Sequence, residues 1–384
     1  MRNRAWWRVA PVVFALAYGG NHFSVLLLLY RRLEGYSSVT VDLLFAAYIV
    51  GIIPGFLISG PLSDRFGRKP VLLGGAALGL VGSVVLGLDA AAVPLLAVGR
   101  FVSGLSVAAA MVVGSSWIKE LSLAVPAPVA ARRASLTLTA GFALGPAVSG
   151  VIAQWGPAPT LLPYGIHVVL TVGCGLVLLG ARETRTPGPV AFRLPRRVRG
   201  RFVGVVLPAA PWVFGCASVA FAVTPAVVVA RLGTGGIAYA TLLAVVALVL
   251  GAGIQPFAVR IGQATGGRQH AVGLVIGTIG ILGIALVALL QLPWLGVPFA
   301  AVLGAGYGIS LVSGLTEVQR TAPPQELAGL TALYYCATYV GFVVPVLLAA
   351  LSAVAPEPLL LVLLAAVCAG SLTVVLRNSA RSRT

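Results

Sequence analysis

The chain has 384 residues, of which 59% are hydrophobic and only 9% charged, and its mean hydropathy is +1.02. No water-soluble globular domain carries so little charge, and none of its apolar segments alternates with the period of a barrel strand. The formal charge of +17 would suggest nucleic acid in a soluble protein, but the basic residues are spread between apolar runs rather than gathered on one face, so no nucleic-acid partner is expected.

Apolar runs fall at 8–30, 39–59, 70–88, 93–116, 133–153, 160–181, 203–230, 236–259, 271–291, 296–318, 325–352 and 357–376. About 20 residues at roughly 1.5 Å each cross a bilayer core, so these are twelve expected transmembrane helices and the lipid bilayer is the expected surrounding. The first run begins after Met1-Arg-Asn-Arg and passes an Ala15-x-Ala17 that resembles a signal-cleavage site. Its apolar character resumes after Asn21-His22 and continues to Tyr30, so a retained first helix is expected. The Arg- and Pro-rich stretch 182–202 separates two expected six-helix bundles, 1–181 and 203–384. Cys174, Cys216, Cys336 and Cys368 lie inside apolar runs without metal-ligand spacing and are expected to be small packing residues, with no metal site.

The two halves repeat. Glu120 and Glu317 are 197 residues apart, Val177 and Val375 are 198 apart, and Thr139-Ala-Gly-Phe-Ala-Leu-Gly-Pro146 matches Thr338-Tyr-Val-Gly-Phe-Val-Val-Pro345 at an offset of 199. Arg65, Arg68, Lys69, Lys119, Arg132, Arg133, the 182–202 cluster, Arg260, Arg268 and Arg320 fall in the even-numbered loops. Only Arg31, Arg32 and Arg231 fall in the odd ones. This asymmetry predicts that both termini face the cytoplasm of a cell inner membrane. High Ala, Gly and Arg usage with little Lys suggests a bacterial source.

Between the second and third runs stands Gly60-Pro-Leu-Ser-Asp64-Arg65-Phe-Gly67-Arg68-Lys69, read as a charge-dense turn. The pattern resembles the loop signature of the major facilitator superfamily. The resemblance extends over essentially the whole chain and implies two parallel six-helix bundles that rock about a midplane cavity. It gives Gly60, Asp64, Arg65, Gly67, Arg68 and Lys69 a gating role, latching one half against the other, with the partner end near Pro324-Gln325-Glu326. The plainer alternative is a solvated turn that sets topology only. Asp64 is expected to gain from the positive N-terminal end of a helix.

Gly99-Arg100-Phe-Val-Ser103-Gly104 resembles the family's fourth-helix R-x-x-Q-G, with Ser103 in place of glutamine. A charge inside a membrane helix costs at least ~2.5 kcal/mol, so Arg100 is expected to face a cavity or a partner and to carry proton coupling; otherwise it snorkels to the interface. Asp42 is the acid well inside a span, and the two are expected to communicate; as an alternative, Asp42 is an interfacial residue or cap. Gly141, Gly145, Pro146 and Gly150 resemble the fifth-helix motif that marks antiporters, with Ser149 where the family has a glycine. Ordinary small-residue packing is the alternative. Candidate cavity residues are Tyr18, Asn21, His22, Trp212, Gln255, Tyr307 and Tyr339; each alone is as readily a packing residue. The first helix has Asn21-His22 where many drug exporters of the family carry an acid. A neutral, weakly polar or anionic substrate is therefore expected rather than a dication.

No G-x-x-x-x-G-K-[ST] phosphate loop occurs and the three histidines are scattered, so neither ATP use nor enzymatic activity is expected, and no cofactor beyond an ion gradient, most simply H⁺. The expected function is proton-coupled efflux of a small hydrophobic or amphipathic compound by a monomer. The alternatives are an uptake symporter for a nutrient or organic anion, and a non-transporting sensor or scaffold.

Overall fold

In hydrocarbon each backbone N–H and C=O must find its partner within the protein, which leaves a chain of this composition the helix. The computed structural model describes residues 2–125, 127–185, 200–321 and 327–381. Among them are twelve helices long and apolar enough to cross a membrane: α1 Ala10–Glu34, α2 Val39–Phe66, α3 Arg68–Leu88, α4 Val93–Glu120, α5 Arg132–Trp155, α6 Leu162–Leu179, α7 Phe202–Val227, α8 Val229–Phe257, α9 Gln269–Leu290, α10 Pro293–Val318, α11 Gly329–Leu351 and α12 Glu357–Ser379. The chain is an all-α multi-pass membrane protein. It divides into two units, Met1–Phe192 and Arg193–Thr384. Most of the 182–202 stretch lies outside the described residues, as do Pro324, Gln325 and Glu326.

Two elements differ from the hydropathy reading. The charge-dense stretch 60–69 is mostly not a turn. Regular helix runs from Ser38 through Pro54 and Pro61 to Phe66, and Gly67 alone separates it from α3. The first helix, expected to be continuous, is interrupted. It is regular over Ala10–Asn21 and again over Leu26–Glu34, with a tight turn at 22–25 whose bonds run from Ser24 N–H to the Asn21 carbonyl and from Leu26 N–H to the Phe23 carbonyl.

The packing repeats with a step of six helices. In unit 1, α1 packs on α5, α2 and α3 on α4, and α3 on α6. In unit 2, α7 packs on α11, α8 and α9 on α10, and α9 on α12. The same small residues permit both versions. Gly51 of α2 and Gly104 of α4 let two backbones touch, since a Cβ at either would run into main chain of the other helix. Gly251 and Gly304, each 200 residues further on, do the same for α8 and α10, although at Gly251 it is the Tyr307 ring that fills the space. In a bilayer such close backbone contact replaces the hydrophobic drive that lipid tails cancel. Of the cysteines, Cys216 and Cys368 are buried, and Cys174 and Cys336 are half-buried.

Gly104→Ala is expected to cost about 1–3 kcal/mol through overpacking, read as a lower thermal midpoint in detergent. Gly74→Ala, whose Cβ would meet open space, is expected to leave the midpoint unchanged or raise it.

Candidate functional site

Two groups of residues in unit 1 carry the charge. The first is built at the α2–α3 junction. Gly67 has φ +99°, which ends α2, and a Cβ there would stand 2.8 Å from a Glu183 carboxylate oxygen. The opening amides of α3 need acceptors. Glu183, 115 residues away from Arg68, supplies them: its carboxylate accepts from the Arg68 N–H at 3.1 Å and the Lys69 N–H at 2.8 Å. It also accepts from the N–H groups of Thr184 at 2.9 Å and Arg185 at 3.0 Å. Partial burial alone would raise this carboxyl, but the four backbone donors outweigh it and hold Glu183 below the usual glutamate value.

Arg68 is nearly enclosed. Its guanidinium donates to Ser63 Oγ at 2.6 Å, to Glu120 Oε1 at 2.8 Å and to Asp64 Oδ1 at 3.4 Å. Arg185 pairs with Asp64 at 3.2 Å, Thr184 Oγ1 donates to Glu120 at 2.5 Å, and Lys69 Nζ donates to the Leu179 carbonyl at 2.5 Å. Asp64, expected to sit at a helix N-terminus, lies instead in the last turn of α2, and the capping acid of α3 is Glu183. Arg65 lies outside the group, exposed with its guanidinium over the Phe66 ring, and Gly60 is buried within α2. Hydropathy and motif reading missed Glu183, Arg185 and Glu120 as members of the group. The repeat around Glu120 and around Val177 was the available signal. Unit 2 echoes Pro61-x-x-Asp64-Arg65-x-Gly67 as Pro256-x-x-Val259-Arg260-x-Gly262, without the acid, and its buried Glu317 pairs with Arg201.

The second group surrounds the interruption of α1. Gly141 and Gly145 of α5 lie on the α1 backbone: a Cβ at Gly141 would run into the Phe14 carbonyl, and one at Gly145 into the Tyr18 carbonyl. Pro146 lies within α5, and Gly150 is buried. Arg100 of α4 is buried against the same stretch. Its guanidinium lies 4.6 Å from the Phe23 ring centre and 4.4 Å from that of Tyr48, and it donates to the Gly20 carbonyl at 3.4 Å. Asn21 Nδ2 donates to the Phe142 carbonyl at 3.4 Å. His22 lies fully buried between Tyr18, Tyr164 and His167. The structure thus brings Tyr18, Asn21, His22, Arg100, Gly141 and Gly145 together. The side chain of Asp42, on α2, lies outside the described residues.

In unit 2, Tyr307 and Tyr339 both pack on Phe214, with ring centres 5.7 and 4.3 Å away, and Phe342 joins them. Trp212 is turned to α12, where its indole N–H donates to Ser371 Oγ at 2.9 Å. Gln255 lies in the tight turn Gln255–Phe257 of α8. An apolar groove of about 360 Å³, lined by Trp6, Trp7, Ala10, Pro11, Phe14 and Thr137, opens at the start of α1.

A depressed carboxyl stabilises the fold above its unfolded pKa, and the gain disappears as pH falls through the lower native value. Glu183→Gln is therefore expected to lower the thermal midpoint at neutral pH. The wild-type and variant curves should converge in acid below the ordinary glutamate value of ~4.3. Parallel curves across the whole range would contradict the capping role.

Among known proteins, the chain is 32% identical over 184 residues to the 4-hydroxybenzoate transporter PcaK of Pseudomonas putida, covering 46% of this chain and 38% of that protein. It is 30% identical over 172 residues to the multidrug resistance protein MdtL of Escherichia fergusonii, covering 42% and 41%. A shorter match of 58 residues at 47% identity, 15% and 14% of the two lengths, is to a chloramphenicol resistance protein of Pseudomonas aeruginosa. The chain thus spans about two fifths of the length of the first two curated relatives. The family model of the Major Facilitator Superfamily matches residues 9–346. With a match over that much of its length, the chain belongs to the Major Facilitator Superfamily and is a transporter, not an enzyme.

Proposed function

We propose that the chain exports a small hydrophobic or amphipathic compound in exchange for protons. The observation that carries this reading is the seating of Gly141 and Gly145, directly before Pro146, on the α1 backbone. The residues that resemble an antiporter motif pack on the helix that holds Asn21 and His22, beside Arg100. The resistance proteins among the relatives support the same direction. A second reading, uptake of an aromatic acid, is supported by the identity to a 4-hydroxybenzoate transporter.

In the export reading Arg100 and Asp42 couple protons to transport, with no cofactor other than the ion gradient. The Asp64–Arg68–Glu120 group is the latch made and broken in each cycle. It suits that role because exposed partners such as Arg185 contribute little while the enclosed Arg68 guanidinium holds three acceptors. The apolar groove beside Trp6 and Phe14 fits an apolar guest. Asn21-His22, where many exporters of the family carry an acid, favours a neutral or anionic one. In this reading the protein works as a monomer, and the basic residues of the even loops support an inner-membrane placement with both termini in the cytoplasm.

Expression in a drug-sensitive host is expected to lower accumulation of a fluorescent amphipathic dye, and a protonophore should restore it. Arg100→Ala is expected to abolish the difference. Arg68→Ala should cut it about ten- to a hundredfold, since losing a charge-assisted bond costs ~1.5–3 kcal/mol. Raised accumulation of an aromatic acid, with no effect on dyes, would favour uptake instead.

A further inference from the structure

His22 is the anomaly among the buried polar groups of unit 1. It stands at the first position of the α1 interruption and is fully buried, yet neither ring nitrogen has a hydrogen-bond partner of normal geometry among the described residues. Its stacked neighbour His167, 5.3 Å away between ring centres, is the opposite case. His167 Nδ1 meets Ser83 Oγ at 2.5 Å, while Nε2 meets the Ala15 carbonyl at 3.0 Å and Thr171 Oγ1 at 3.1 Å. A ring held at both nitrogens by α1, α3 and its own helix is a fixed wall. The His22 ring, with no bond of normal geometry and only the Gly19 and Tyr18 carbonyls of its own helix near it, is held far less firmly.

The groups that face His22 are Tyr18 from α1 itself, Tyr164 and His167 from α6 and Arg100 from α4. Tyr164 is tied in turn to Tyr30 by a 2.6 Å bond between hydroxyls, and α5 presents Gly145 to the His22 main chain. No carboxylate among the described residues faces the ring. The acceptors near the ring are weak ones, the Gly19 and Tyr18 carbonyls of its own helix; the cage offers no counter-charge for an imidazolium, and it sets the Arg100 guanidinium nearby.

We infer that His22 is a proton-binding site of unit 1, with His167 as its positioning partner. The proton binds whichever ring nitrogen carries none, giving an imidazolium, and leaves by the same route. Proton binding and closure of the cage exclude one another. Uptake thus accompanies opening of α1 about residues 22–25, and closure against Tyr164 and His167 expels the proton. This rests on the proton-coupled reading above and adds a carrier to it beside Arg100.

The test uses the full chain in nanodiscs, with hydrogen exchange over residues 18–26 followed from about pH 8 to about pH 5 and corrected for intrinsic rates, a range that spans ordinary imidazole titration. Opening linked to one proton should grow by up to about tenfold per pH unit. That slope should vanish in His22→Gln and persist in His270→Gln. A flat wild-type profile, or a slope that survives His22→Gln, overturns the inference. Should His22→Gln fail to fold, ¹⁵N-histidine spectra of the wild type, assigned through His167→Gln and His270→Gln, decide it. The chain has three histidines, and a His22 ring that never gains a proton as 18–26 opens is a refutation. A pH-linked opening without proton-driven flux would overturn the transport reading and leave the site standing. Flux without the opening would do the reverse.

Discussion

Unit 1 is organised by a contact between main chains: α5 lies on α1 with nothing but the hydrogen atoms of Gly141 and Gly145 between them. Lipid tails remove the hydrophobic advantage of bringing helices together, so close van der Waals contact and backbone polarity have to do it. Once α5 is seated there, Asn21 reaches the Phe142 carbonyl and Arg100 reaches the Gly20 carbonyl from the other side. The interruption at 22–25 interrupts the regular bonding of α1 next to those contacts. A membrane helix tolerates such a break only where neighbours serve the exposed groups, and here Arg100 does so at the Gly20 carbonyl.

The α2–α3 junction solves a different problem. Two helices joined through a single residue leave a set of amides and a cluster of charge at a membrane edge. Glu183 satisfies the amides and lowers its own proton affinity by doing so. Arg68 gathers Ser63, Asp64 and Glu120 from α2 and α4. Among the described residues these partners all come from unit 1, and the group ties together one end of α2, α3 and α4. Its exposed members are individually weak, and the group is accordingly one that a change of a few kcal/mol can rearrange. Reversibility of that kind is what a transport cycle asks of a gate.

Much of this is legible in the amino-acid order. Twelve spans are visible because bilayer thickness imposes a length that soluble helices do not share, and the internal repeat reappears as equivalent helix pairs with Gly51 and Gly251 at matching places. The junction residues were visible as a motif, but their acidic partners were not. Glu183 is 115 residues from Arg68 and Glu120 is 52 away, and nothing local announces either pairing. The α1 interruption follows the polar pair Asn21-His22, but the apolar run to Tyr30 on its far side reads as one continuous span. His167 looked like a stray histidine. Its ring fits against α1 because Gly19 leaves room for it.

The central claim is exchange: compound one way, proton the other. Purified protein in liposomes containing a pH-sensitive dye, under an imposed proton gradient, measures it directly with a panel of amphipathic and aromatic compounds. The account predicts that a transported compound triggers proton flux opposite to its own movement. Protons and compound moving in the same direction, or no flux with any compound in folded, inserted protein, would contradict it.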